Sequence, residues 1–138
     1  MKNMKSMQSE DYPSMYRSDG ATTRERPFIT YTVKNDIILL RTFDIVYFRF
    51  NSERKLWEVS LANNPTLTTT LKKGTNANTI LQYSPSFVQI HQSYIININY
   101  LKMIENNYCI MYPPFDNIRE LTVSKSFRKR IQELFIEI

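Results

Sequence analysis

From Phe28 onward the chain alternates, with Ile29, Tyr31 and Val33 on one side and Thr30 and Thr32 on the other, the period of a β-strand. Asn35-Asp36 is a turn pair, and residues 37 to 41 read as the returning arm of a hairpin. Residues 44 to 50 (DIVYFRF), β-branched and aromatic, predict a third strand. A polar loop follows at residues 51 to 55 (NSERK). Beyond it Trp57, Val59 and Leu61 alternate with Glu58 and Ser60, so a fourth strand should pair back on the third. Residues 67 to 71 form a threonine-rich strand that Pro65 confines to its beginning. Thr75 is placed to cap a short helix running to about Tyr83, with Ile80 and Leu81 as its apolar contacts.

Residues 87 to 101 (FVQIHQSYIININYL) are the most distinctive stretch. Alternation sets Phe87, Gln89 and His91 on one face of a strand and Val88 and Ile90 on the other. Gln92, Ser93, Asn97 and Asn99 carry side chains that bond to nearby backbone, while Ile95, Ile96 and Ile98 still need burial. The pattern predicts a tight apolar corner beside an exposed polar tip. Residues 100 to 105 and 108 to 112 then form a hairpin across Asn106-Asn107, and residues 119 to 123 a last strand. Ser124 or Ser126 starts a C-terminal helix on which Phe127, Ile131, Leu134, Phe135 and Ile138 repeat at helical spacing. The fold class expected is mainly β, with packed antiparallel sheets, a short middle helix and a C-terminal helix.

A chain of 138 residues suits one domain. Residues 1 to 27 lack sustained apolar periodicity and read as a flexible tail, which leaves residues 28 to 138 as the domain. No apolar run approaches the roughly 18 residues of a membrane helix, so no membrane partner is expected. The N-terminus has no secretory apolar core, and the single cysteine, Cys109, excludes an internal disulfide framework. A cytoplasmic location is therefore expected. The net charge of +5 and pI near 9.4 favour an anionic partner, with nucleic acid foremost.

Candidate chemistry narrows this further. The sole histidine has no acid partner nearby in sequence, which argues against an enzyme. One cysteine and one histidine cannot make a tetrahedral zinc site, and two glycines cannot write a phosphate-binding fingerprint, so no metal or cofactor is expected. Cys109, in an alternating run, reads as a small buried hydrophobe. Gln92, at the tip after His91, is able to donate and accept at once, the pattern that matches adenine in a major groove. Lys125, Arg128, Lys129 and Arg130 cluster at the start of the last helix, near the positive end of its dipole, where stability alone would prefer acids. Free amides at a helix start together with such cations make a phosphate site. Arg54 and Lys55 end the 51 to 55 loop and form another basic tip.

Three segments together resemble the LytTR DNA-binding domain, the output domain of bacterial response regulators. Asp44-Ile45-Val46-Tyr47-Phe48 is similar to the family's early D-I-x-Y segment. Residues 87 to 97 (FVQIHQSYIIN) are similar to its F-x-R-x-H-R-S-x-x-V-N signature, and Leu121-Thr122-Val123-Ser124-Lys125 to its terminal V-S-R. The resemblance spans roughly residues 28 to 138. It implies an elongated β-β-β sandwich whose loops enter successive major-groove segments, in a transcription regulator that binds paired direct repeats as two copies. Carried over by position, Gln92 stands where the family has a base-contacting arginine or asparagine, Lys125 at the basic residue after V-S, and Lys55 in the first contact loop. His91 matches the motif histidine that holds or contacts the backbone, and Asn97 the signature asparagine, read as fixing the turn.

Two departures stand out. Gln89 and Gln92 replace positions that are usually basic, and each lost phosphate contact lowers the salt slope by about 0.9. Family members commonly carry an N-terminal phosphoreceiver domain, which 27 residues cannot hold, so a stand-alone regulator is expected. The alternative is a module of the same fold that has lost DNA binding and contacts protein, for which the glutamine replacements speak.

Overall fold

The computed structural model describes residues 26–31, 34–64 and 68–138. The expected tail up to residue 25, Val33 and Pro65 lie outside the described residues. Eleven strands and α-helices follow in order: β1 (Phe28–Tyr31), β2 (Ile37–Leu40), β3 (Ile45–Asn51), β4 (Leu56–Leu61), β5 (Thr68–Thr70), α1 (Ala77–Leu81), β6 (Phe87–His91), β7 (Tyr94–Asn97), β8 (Leu101–Glu105), β9 (Tyr108–Met111) and α2 (Lys125–Gln132). Short 3-10 turns precede β3, at Thr42–Asp44, and β8, at Ile98–Tyr100.

Five strands make the central antiparallel sheet, in the order β5-β4-β3-β7-β6. Its inner strands are apolar on both sides because both faces are covered. On one face Ile45, Phe48, Trp57, Val59, Phe87 and Ile95 pack with Leu40 of β2 and Ile80 of α1. On the other, Val46, Tyr47, Val88, Ile90 and Ile96 pack with Cys109 and Met111 of β9, with Phe115, Leu121 and Val123, and with Ile131 of α2. The β1-β2 hairpin and the β8-β9 hairpin thus flank the central sheet, a mainly β arrangement with three antiparallel sheets and two helices among the described residues. Each large aliphatic or aromatic side chain so buried contributes about 1.5–3 kcal/mol.

Asn97 lies at the seam of this packing, fully buried. Its Nδ2 donates to the carbonyls of Thr42 and Ile45, each at 3.0 Å, and its Oδ1 accepts from the Asn99 amide at 3.0 Å. One side chain therefore joins the entry to β3 with the exit from β7.

The two faces expected of β1 are present, and its pairing with β2 sets which of them is inward. In β1, Phe28 and Thr30 turn inward while Ile29 and Tyr31 are more than half exposed, opposite the equally exposed Leu39 and Ile37 of β2. Because β2 (IILL) is apolar on both sides, only the pairing register decides which side faces the core. The short helix is capped by Asn76, whose Oδ1 accepts from the Thr79 amide at 2.9 Å, in place of Thr75. Tyr94–Asn97, expected as a corner, is a strand that pairs with both β3 and β6.

Residues 119 to 123 do not form a strand. They make one bridge, Tyr108 with Thr122, and then cross over, the Val123 amide donating to Asn107 O at 2.7 Å and the Ser124 amide to Ile90 O at 2.9 Å. The segment links two sheets and so cannot run along either. Helix α2 begins after Ser124 as expected but stops at Gln132, beyond which Leu134, Phe135, Ile136 and Ile138 are exposed. Ile131 is its last residue in the core, and burial no longer supports a further turn.

Candidate nucleic-acid interface

Antiparallel pairing decides which loops meet. Arg49 of β3 lies opposite Tyr94 of β7, and the Phe50 amide donates to Ser93 O at 2.9 Å, so the β3-β4 loop and the β6-β7 turn share one end of the sheet. The Ser124 bond to Ile90 O brings the start of α2 to that end. The three segments expected to act together are therefore neighbours. A fourth joins them, the Asn106-Asn107 turn, held by the Val123 amide and by a hydrogen bond from Arg128 to Asn107 Oδ1. Both asparagines have positive φ, +52° and +64°, the conformation a two-residue hairpin turn requires and asparagine tolerates.

Asn51 builds the first tip. Its Oδ1 accepts from the amides of Glu53 and Arg54, at 3.0 and 3.1 Å, and its carbonyl accepts from the Lys55 amide at 2.7 Å. Lys55 adopts φ +58°, which turns the chain back into β4, and Arg54 and Lys55 are both exposed. At the second tip the Ser93 amide donates to His91 Nδ1 at 3.0 Å, and the His91 ring lies 5.5 Å from that of Tyr94. With Nδ1 acting as acceptor, the neutral imidazole carries its hydrogen on Nε2, which is then the donor. Gln92 is exposed at the tip, whereas Gln89 turns back along its own strand, its Nε2 donating to His91 O at 3.2 Å.

At the third tip Ser124 makes no side-chain cap, and Lys125, Arg128 and Lys129 are exposed. The short helix changes how its cations are read. Lys129 and Arg130 fall in the last turn, where the dipole favours positive charge, so only Lys125 and Arg128 sit against it. Arg130 also lies 5.2 Å over the Phe127 ring, a contact that accounts for its position by packing.

Below the tips, on the central sheet, is a polar cluster absent from the sequence-based site. Arg49 Nη2 is 2.8 Å from Glu58 Oε1, and its Nη1 is 3.6 Å from Glu120 Oε1. Asn51 Nδ2 donates to Glu58 Oε2 at 3.0 Å. Tyr47 and Tyr94 donate their hydroxyls to Glu120, at 2.6 and 3.2 Å. Burial would raise the Glu58 carboxyl, but the hydrogen bonds from Asn51 and Arg49 outweigh it and hold the pKa below the usual carboxylate value. Burial, reinforced by the bond to Glu120, pushes the Tyr47 phenol up to about 12. The only signal in the sequence was period two, which sets Tyr47, Arg49 and Asn51 on one face of β3. Nothing local named Glu120 as their partner.

Cys109 is buried among apolar side chains, and that burial pushes its thiol up to about 12, away from reactive thiolate chemistry. Among the described residues, no group of three or more His, Cys, Asp or Glu is placed to hold a metal ion, and no helix is long and apolar enough to cross a membrane.

The family model of the LytTr DNA-binding domain matches residues 35–136. No curated protein matches the chain. Among solved structures, the fold is similar to the LytTr DNA-binding domain of a Bacillus cereus protein described as a methyl-accepting/DNA response regulator. The TM-score is 0.57 and the identity 23%, over 78% of this chain and 94% of that one. Because the family match spans most of the chain, including the whole central sheet and all four tips, the protein belongs to the LytTR family of DNA-binding domains, whose members regulate bacterial transcription.

Proposed function

We propose that residues 28 to 138 bind double-stranded DNA sequence-specifically, inserting the tips of the central sheet into the major groove, and that the chain acts as a transcription regulator. The observation that carries this reading is the meeting of the first loop, the second turn and the start of α2 at one end of the sheet. Arg54, Lys55, Lys125, Arg128 and Lys129 are the phosphate contacts, and His91 adds a neutral Nε2 donor. Gln92 reads a base edge, its amide matching the adjacent donor and acceptor of adenine. The two hairpin tips are separated by two strand spacings, ~10 Å, which suits a groove about 12 Å wide. Two copies on paired direct repeats complete the proposal. A cytoplasmic location goes with it, since the duplex is there.

Selection from a random duplex pool, followed by titration of the selected duplex against random DNA over a salt series, tests this. The expected result is a recovered motif and binding that weakens steeply with salt. Gln92→Ala should narrow the preference between sequences by about 1–3 kcal/mol and leave the salt slope unchanged, whereas Lys125→Ala should lower the slope by about 0.9. A pool that returns no motif, with no duplex bound above random, would replace the proposal with the protein-contact alternative.

A further inference from the structure

Arg49 has the outward marks of a phosphate contact: it is a strand arginine near the tips with 44% of its side chain exposed. Its surroundings point elsewhere. Two carboxylates flank it, Glu58 at 2.8 Å and Glu120 at 3.6 Å, so the local sum is negative and an incoming phosphate would meet repulsion. Each carboxylate also reaches toward a different tip. Glu58 Oε2 accepts from Asn51 Nδ2, and Asn51 Oδ1 in turn holds the amides of Glu53 and Arg54 in the first loop. Glu120 accepts from the hydroxyl of Tyr94, the residue paired with His91 where the second turn closes. Glu120 also lies a few residues before Ser124, where α2 begins.

We infer that the chain of contacts from Asn51 through Glu58, Arg49 and Glu120 to Tyr94 is the positioning element of the interface, holding the first tip in register with the second, and that Arg49 acts inside it instead of on phosphate. The inference rests on the reading of this end of the sheet as the DNA-binding face. It concerns the residues that set the spacing of the tips, where the proposal above concerns those that touch the duplex. Base readout requires side chains held to a fraction of an ångström, whereas phosphate attraction tolerates looser geometry. Loosening the chain of contacts should therefore lower specificity more than it lowers charge-driven affinity.

Arg49→Met keeps the stem and removes the charge, while Glu58→Gln removes a charge of the opposite sign from the same chain of contacts. In the free protein, both variants should speed hydrogen exchange at the Glu53 and Arg54 amides by about tenfold, with Ile96 in the central sheet unchanged. With the selected duplex and a random duplex of equal length, both should lower the preference about tenfold, and Arg49→Met should leave the salt slope in place. A slope that falls by about 0.9 in Arg49→Met with preference intact makes Arg49 a phosphate contact and overturns the inference. Unchanged exchange at Glu53 and Arg54 overturns it as well. If the unaltered protein prefers no duplex, the DNA reading of this face fails, and the exchange measurement alone decides whether the chain of contacts holds the tip.

Discussion

The Ser93 amide donates to Nδ1 of His91 across 3.0 Å, so the second tip is closed by a side chain acting on the backbone two residues ahead. An asparagine makes the same kind of local turn with its Oδ1, but its Nδ2 then falls near the place of the ring's Cδ2 and donates short of where Nε2 does. His91→Ala should lower stability by about 1 kcal/mol in urea unfolding, the usual value of such a bond, whereas His91→Asn should stay within about 0.5 kcal/mol of the native protein. Both should weaken duplex binding. Equal destabilisation in the two variants would show that the acceptor role assigned to Nδ1 is wrong.

Asn97 is satisfied on both of its amide atoms in a site that admits no solvent. Truncation to alanine leaves the carbonyls of Thr42 and Ile45 and the Asn99 amide without that partner, so Asn97→Ala should cost about 2–4 kcal/mol. Asn97→Asp should cost at least as much, because an oxygen would then face two carbonyl oxygens. The denaturation midpoint is the readout, and a change below about 1 kcal/mol would show that those groups find other partners.

Most of the strand plan was legible because its signals are local: alternation in β4 and β6, asparagine pairs at turns, a polar loop after β3. What escaped depends on partners far along the chain. Tyr94–Asn97 is a strand because Ile95 and Ile96 pair with Phe48 and Tyr47, and no local pattern states that pairing. The inward side of β1 was ambiguous for the same reason, since β2 offers apolar residues to both sides. At the interface, Lys55, Gln92 and Lys125 could be named as tips from polarity and from the family signature. Their meeting at one end follows from sheet order, and the Arg49 cluster from a contact to Glu120, which lies outside the strands and far along the chain.

Helical spacing misled at the C-terminus, where apolar residues continue past the point at which the core ends. Ile131 is 4% exposed and Ile138 fully exposed. Ile131→Ala should therefore destabilise by about 2–5 kcal/mol, while Leu134→Glu and Ile138→Glu should each stay within about 0.5 kcal/mol. Thermal unfolding with circular dichroism measures both. A loss above 2 kcal/mol in Leu134→Glu would mean that the helix continues and that residue 134 is packed.

Cys109 gives the fold a dependence on alkaline pH whose sign can be worked out. Its thiol is pushed from 9.0 to about 12 by burial, and the Tyr47 phenol from 10.0 to about 12 by burial and by its bond to Glu120. As pH rises past 9.0, the unfolded chain releases the thiol proton while the folded chain still holds it, so the unfolded state binds fewer protons and stability falls. The contribution is fully present below the unfolded value and lost on the way to about 12. Cys109→Ala should be less stable at neutral pH, because it empties part of the core, yet should decline less steeply above pH 9.0 than the native protein. Tyr47→Phe should flatten the later part of the same limb, above pH 10.0. Urea midpoints across this range are the measurement. Parallel curves for Cys109→Ala and the native protein would mean that the thiol titrates as it does in the unfolded chain, which its place between Met111, Leu121 and the central sheet does not allow.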